Sequence, residues 1–170
     1  MSTTAIWASR LPSCPINPSV LRRKHAPPRR SLKNPGHLSI EERPDLGTRD
    51  EFGHWEMDTI VSGVHGKGGL LALIERKTRR YFLEKLPRLS HREILRALRR
   101  ILRRDPMPRV RSITTDNGCE FLDHEAIEAL FRSHGTPKLY YTHAYAAWEK
   151  GSVENANRLV RRWYPKGTDF

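Results

Sequence analysis

The sequence predicts an α/β fold: a mixed five-stranded sheet flanked by helices, in the order β-β-β-α-β-α-β-α. Three observations point to it. Short strand-like stretches joined by tight turns fill residues 54–86. An amphipathic helix follows them. Helix and strand then alternate to residue 163, which turns an antiparallel meander into a sheet with helical crossovers.

In the first strand, Trp55, Met57, Thr59 and Val61 alternate with His54, Glu56, Asp58 and Ile60, the period of a strand. Ser62 to Lys67 carries Gly63 and Gly66 and reads as a turn. The stretch 68–75 is almost continuously apolar, as a strand buried on both faces would be. Arg76-Lys77-Thr78-Arg79 turns the chain into a third strand over 80–86. Ser90 and Glu93 form the S-x-x-E signature of a helix start. Ile94, Leu95, Leu98, Ile101 and Leu102 then share one face, and six arginines crowd the remainder. That basic face suits either a DNA backbone or plain solvent. Asp105-Pro106-Met107-Pro108 ends the helix. A fourth strand over 109–115 runs into Asp116-Asn117-Gly118. A second helix starts near Asp123 and closes at Gly135. A fifth strand covers 138–142, and a last helix runs from about Ser152 to Trp163, before Pro165.

The 170 residues suit one domain with some extra chain. Residues 1–37 read as a basic, Pro-rich disordered arm, with Arg22-Arg23-Lys24 and Arg29-Arg30, able to bind DNA without folding first or to have no role. Residues 38–50 read as a linker and 51–170 as the folded core. Net charge is +12 and pI about 10.3. Most of the 31 basic residues are arginine, whose planar fork suits phosphate. This balance points to a nucleic-acid partner. Mean hydropathy is −0.68. No apolar run approaches a membrane span, and no secretory signal is evident, so no membrane partner and a cytoplasmic location are expected. Cys14 and Cys119 have no metal-type spacing.

Three acidic residues stand out by position. Asp58 lies within the first strand, where aspartate is depleted. Asp116 ends the fourth strand. Glu154 lies in the first turn of the last helix. Were the first and fourth strands adjacent, the two aspartates would meet and Glu154 would face them. Three converging carboxylates repel one another and need a cation. Hard oxygen donors favour Mg²⁺ or Mn²⁺, and two such ions suit in-line phosphoryl transfer. Each residue has an ordinary alternative: an Asp before Asn-Gly makes turns, and a Glu in a first helical turn favours the helix dipole. On the last helix, Asn157 and Arg158 share the face of Glu154, and Arg161 and Arg162 extend the basic surface. These four, with Lys150 and His143, are the candidate DNA contacts. Tyr145, Trp148 and Trp163 could stack on bases or pack as ordinary aromatics. The other histidines are scattered, and there is no phosphate-binding P-loop spacing and no G-x-S-x-G motif.

Several motifs in order resemble the insertion-sequence-thirty family of bacterial DDE transposases. They are Ser39-Ile40-Glu41-Glu42-Arg43-Pro44, Phe52-Gly53-His54-Trp55-Glu56-Met57-Asp58-Thr59, Glu75-Arg76-Lys77-Thr78-Arg79, Asp116-Asn117-Gly118-Cys119-Glu120-Phe121, Trp148-Glu149-Lys150-Gly151-Ser152-Val153-Glu154-Asn155 and Tyr164-Pro165-Lys166-Gly167-Thr168-Asp169-Phe170. The resemblance covers about residues 36–170. It implies a ribonuclease-H-like, integrase-type catalytic core with Asp58, Asp116 and Glu154 as its metal-binding catalytic triad. Thirty-seven residues lie between Asp116 and Glu154, similar to the interval in such enzymes. The implied chemistry is Mg²⁺- or Mn²⁺-dependent cleavage at element ends and strand transfer to target DNA, in a bacterial, nucleoid-associated setting with a homo-oligomer as partner. Family members carry an N-terminal helix-turn-helix that residues 1–35 do not resemble, and they continue past the position of Phe170. A truncated form is therefore expected. A related nuclease that cuts without joining, and an inactive remnant that only binds nucleic acid, are the alternatives.

Overall fold

The structure, a computed structural model, describes residues 36–44, 49–105, 109–143 and 146–170. The arm up to residue 35, the prolines after the first helix and Tyr145 lie outside the described residues. The strands are β1 (Leu38–Ser39), β2 (His54–Val61), β3 (Gly69–Glu75), β4 (Tyr81–Leu86), β5 (Ser112–Thr115) and β6 (Lys138–Tyr141). The helices are α1 (His91–Arg104), α2 (His124–Leu130) and α3 (Gly151–Trp163).

One sheet takes all six strands in the order β1-β6-β5-β2-β3-β4. The β2-β3-β4 meander is antiparallel, and β5, β6 and β1 add to β2 in parallel. The sheet is mixed and helix-flanked, as expected, with a sixth strand. The addition is β1, in residues read as linker. Two residues with no alternating pattern carry no periodic signal, and only pairing with Tyr140 and Tyr141 makes them a strand. A 3₁₀ turn over Ile40–Glu42 follows. Its capping box is complete: Ser39 accepts from the turn backbone, and Glu42 accepts from the Ser39 N–H at 2.7 Å. Arg43 then donates to Thr114 Oγ1 on β5 at 2.9 Å. The folded unit therefore begins before residue 51.

Strand alternation sorts the two faces of the sheet. Trp55 and Met57 of β2, Leu71 and Leu73 of β3, and Phe82 and Leu86 of β4 pack with Ile94, Ala97, Leu98 and Ile101 of α1 and Ile127 of α2 in the main core. Ala72 and Ile74 point the other way, to a smaller cluster with Val153 of α3. Glu56 and Asp58, out of phase with Trp55 and Met57, fall on the α3 side.

Ser90 caps α1, accepting from the Glu93 N–H. The expected reciprocal bond is absent among the described contacts; Glu93 pairs with Arg96 instead. Part of the arginine-rich face is also internally paired, since Arg100 and Arg104 both reach Glu84. The second helix is shorter than its sequence suggests. It gives way to a 3₁₀ turn over Arg132–His134 that ends at Gly135, where φ is +142°. A Cβ there would run into the Val110 carbonyl, so glycine is required.

After α3 the chain folds back on the β2–β3 turn. Arg161 donates to the Val61 carbonyl at 3.0 Å, the Gly63 N–H to the Thr168 carbonyl at 2.8 Å, and the Phe170 N–H to Ser62 Oγ at 3.2 Å.

Ile101 is wholly buried between α1 and the sheet. Ile101→Ala is expected to cost about 2–5 kcal/mol of stability, read as a lower denaturation midpoint in urea at unchanged slope.

Candidate functional site

β2 and β5 run parallel, with Glu56 opposite Thr114. Two residues further on stand Asp58, within β2, and Asp116, just past the end of β5, so the register brings them side by side. Both carboxylates line a cleft of about 320 Å³, with Thr142, His143, Ala146, Lys150 and Glu154 completing its wall.

Each aspartate divides its two oxygens between the protein framework and a shared cation. Asp116 Oδ1 accepts from the Gly118 N–H at 3.0 Å, the turn bond that an Asp before Asn-Gly commonly makes. Its Oδ2 lies 3.0 Å from Lys150 Nζ. The turn bond therefore leaves the second oxygen of Asp116 to Lys150. Asn117 anchors the same loop by donating to the Thr142 carbonyl at 2.6 Å. Asp58 Oδ2 accepts from Asn157 Nδ2 at 2.8 Å, and Asp58 Oδ1 lies 3.0 Å from Lys150 Nζ. The Asn157 amide is oriented in turn by the Tyr81 hydroxyl, which donates to Asn157 Oδ1 at 2.8 Å.

The electrostatics follow from burial and this shared charge. Burial raises the Asp58 pKa above the ordinary carboxylate value, and Asp116 adds to the rise, while Lys150 opposes it. Burial works against the Lys150 ammonium too, but the two aspartates outweigh it and the Lys150 pKa is raised. Burial also raises the Tyr81 phenol, helped by the nearby Asp58 charge, so Tyr81 stays a donor.

Glu154 sits in the first turn of α3, exposed, on the wall of the same cleft. Among the described residues, no three His, Cys, Asp or Glu side chains are gathered closely enough to grip one ion. The structure thus joins Asp58 to Asp116 through Lys150 and leaves the Glu154 side chain free to face the cleft.

What places α3 is a residue that sequence reasoning did not single out. Glu56, 2% exposed, accepts from the Ser152 and Val153 N–H groups, both at 2.8 Å. It supplies from β2 the anion that the first turn of α3 needs, since α3 has no side-chain cap of its own. Its Oε1 pairs with Arg76 Nε at 3.1 Å. Two signals pointed to it: a glutamate inside a strand, and a spacing of two from Asp58, which puts both on one face.

The candidate DNA contacts separate into groups. Lys150 and Asn157 are turned inward onto the aspartates rather than outward, as α3 packs against the sheet through Val153 and Ala156. Arg161 is tied to the Val61, Tyr164 and Pro165 carbonyls. Arg158 bonds Asn155 rather than Glu154, and both Arg158 and Arg162 are exposed. His143 is at the cleft rim. Its ring Nδ1 lies 2.8 Å from Glu149 Oε1, and its backbone N–H donates to Glu149 Oε2 at 2.8 Å. Trp148 and Trp163 are exposed.

Two outcomes test this arrangement. Glu56→Gln removes the buried charge that the α3 amides face and breaks its ion pair with Arg76, and is expected to cost about 3 kcal/mol or more. Hydrogen exchange at the Ser152 and Val153 amides should accelerate in the same variant. The hydrogen bond and charge of Glu149 raise the His143 pKa above its usual 6.5. An NMR titration should show that rise, and Glu149→Gln should bring the value back down.

Comparison with known proteins accords with this geometry. No family model matches. A probable transposase for the insertion-like sequence element IS1161 of Streptococcus salivarius is 37% identical over 147 residues, 85% of this chain and 40% of that protein. The transposase for IS4351 of Bacteroides fragilis is 36% identical over 80% of this chain and 40% of its own length. The InsI transposase for IS30A of Escherichia coli K12 is 31% identical over 76% of this chain and 32% of its own. The chain therefore spans less than half the length of these relatives. Among solved structures, a chain of the simian T-cell lymphotropic virus intasome in complex with PP2A regulatory subunit B56 gamma superposes with a TM-score of 0.54 at 18% identity. The superposition covers 65% of this chain and 38% of that one. That likeness shows the fold, a ribonuclease-H-like mixed sheet flanked by helices. At 31–37% identity over most of its length, this chain is a relative of insertion-sequence transposases, that of IS30A among them, and matches part of their length.

Proposed function

We propose that this chain carries the metal-dependent phosphodiester chemistry of a DNA transposase, cleaving DNA at element ends and transferring the strand to a target. The observation that carries the reading is that Asp58 of β2 and Asp116, just past the adjacent parallel β5, line one cleft with Glu154.

The donor set fits a divalent ion. It consists of carboxylate oxygens without cysteine, which suits Mg²⁺ or Mn²⁺, and a cationic group already sits between the two aspartates in the form of Lys150 Nζ. Asp58 and Asp116 would hold the ions, with Glu154 as the third ligand. When bound, such ions activate the attacking oxygen and stabilise the leaving one. The residues around them do the positioning. Asn157 and the Gly118 N–H each hold one oxygen of an aspartate, which leaves the other for a cation. Glu56 fixes the first turn of α3 and with it the backbone of Glu154. Arg158 and Arg162 present exposed guanidiniums suited to phosphate, and His143 offers a ring at the rim.

DNA as the partner is supported by the net charge of +12 and by the printed functions of the relatives, transposases of insertion sequences. Strand transfer further requires a 3′-hydroxyl donor end and a target duplex.

The test is DNA cleavage supported by Mn²⁺. Asp116→Ala is expected to lower the cleavage rate more than about 100-fold, beyond the loss typical of an outer-shell substitution, while leaving salt-sensitive DNA binding in place. A wild-type chain that binds DNA but does not cut in Mn²⁺ would overturn the proposal. A precut 3′-hydroxyl end that is never joined would reduce the reading to a nuclease.

A further inference from the structure

We infer that Lys150 is a tethered stand-in for the divalent ion, holding Asp58 and Asp116 together in the ion's absence and leaving the carboxylates when the ion enters. The inference rests on the reading above, in which those two aspartates are ion ligands.

The geometry points this way in three respects. Lys150 Nζ lies 3.0 Å from an oxygen of each aspartate, so one ammonium serves both carboxylates at once. The oxygens it takes are the ones the framework leaves, the opposite oxygen of each aspartate being held by Asn157 Nδ2 or the Gly118 N–H. An ion binding both aspartates through these remaining oxygens therefore competes with the ammonium for them. The side chain is only 8% exposed, so the ammonium is enclosed within the wall of the cleft.

The chemistry makes the two occupants mutually exclusive. An ammonium and a divalent ion on the same pair of carboxylates would repel each other at short range. Mg²⁺ also demands near-ideal octahedral geometry at about 2.0–2.1 Å and keeps several waters, which leaves no room for Nζ on the same oxygens. The Lys150 stem has four carbons and rotates readily. It starts at the junction of the 3₁₀ turn Ala147–Lys150 and α3, four residues before Glu154. A rotation would carry the ammonium toward the open cleft while the backbone stays anchored.

Two consequences follow. Ion affinity is reduced by the fraction of molecules in which Lys150 is still paired, as for any ligand that binds a minor conformer. The two aspartates are also held in position before an ion arrives, because the ammonium offsets their mutual repulsion.

The experiment combines a labelling readout on the unmodified chain with an ion-affinity readout on a variant. Lys150 acetylation by a pulse of acetic anhydride is followed by peptide mass spectrometry, in chelator and in saturating Mg²⁺. It should be slow in chelator and rise several-fold with Mg²⁺. Mn²⁺ binding is measured by titration calorimetry on wild type, Lys150→Met and Asp116→Asn. The Lys150→Met variant should bind roughly tenfold more tightly than wild type, as expected when a charge-assisted pair no longer competes, and Asp116→Asn should lose binding. Should Lys150→Met fail to fold by circular dichroism, the labelling of wild type decides alone. Labelling unmoved by Mg²⁺, or equal Mn²⁺ affinity in wild type and Lys150→Met, with Asp116→Asn still abolishing binding, overturns the stand-in role and leaves the ion site standing. Absence of Mn²⁺ binding in both wild type and Lys150→Met overturns the ion site and the stand-in together.

Discussion

Two like charges forced side by side govern much of this structure. The parallel register of β2 and β5 sets Asp58 beside Asp116, just past the end of β5, and parallel pairing keeps them neighbours for as long as the strands stay in register. A positive charge between them is then a physical requirement. Lys150 meets it, and its burial is tolerable only because both aspartates face it. Neither Lys150 nor Asp58 could be buried here alone without a desolvation cost.

A second constraint links the sheet to α3. Its N-terminus meets a buried glutamate from β2 instead of water or a cap of its own. The strand that carries Asp58 thus also seats the helix that carries Glu154. The face of β2 toward α3 is therefore polar at Glu56 and Asp58, while the opposite face, with Trp55 and Met57, builds the main core. One eight-residue strand serves two environments because its side chains alternate.

How much of this could be read from residues alone depended on the range of the interaction. The meander, α1 and α3 have strong local patterns: alternation through His54–Val61, an apolar run before Glu75, and the stripe of Ile94, Leu98 and Ile101. Those elements were legible, whereas the adjacency that makes Asp58 and Asp116 neighbours entered only as a condition, because parallel pairing of β2 with β5 leaves no local signal. β1 was not, because two residues hold no period and their strand character comes from Tyr140 and Tyr141, about a hundred positions away. The inward turn of Lys150 and Asn157 was likewise hidden. A lysine and an asparagine beside a basic helix look outward on composition alone, and only the packing of α3 on β2 shows that they point at carboxylates. Glu56 stood in plain view within the alternation, but its partners are backbone amides, which leave no trace in side-chain spacing.

The segment after α3 gives the helix a second point of attachment. Arg161 and Thr168 grip the loop that leaves β2, while Glu56 grips the helix from the middle of the same strand. A rod fastened near both ends to one neighbour can neither slide nor swivel against it without breaking bonds at both places. Any change in the separation of Glu154 from Asp58 must therefore come from torsions about the glutamate's own side-chain bonds, a fast local motion rather than a slow displacement of the helix.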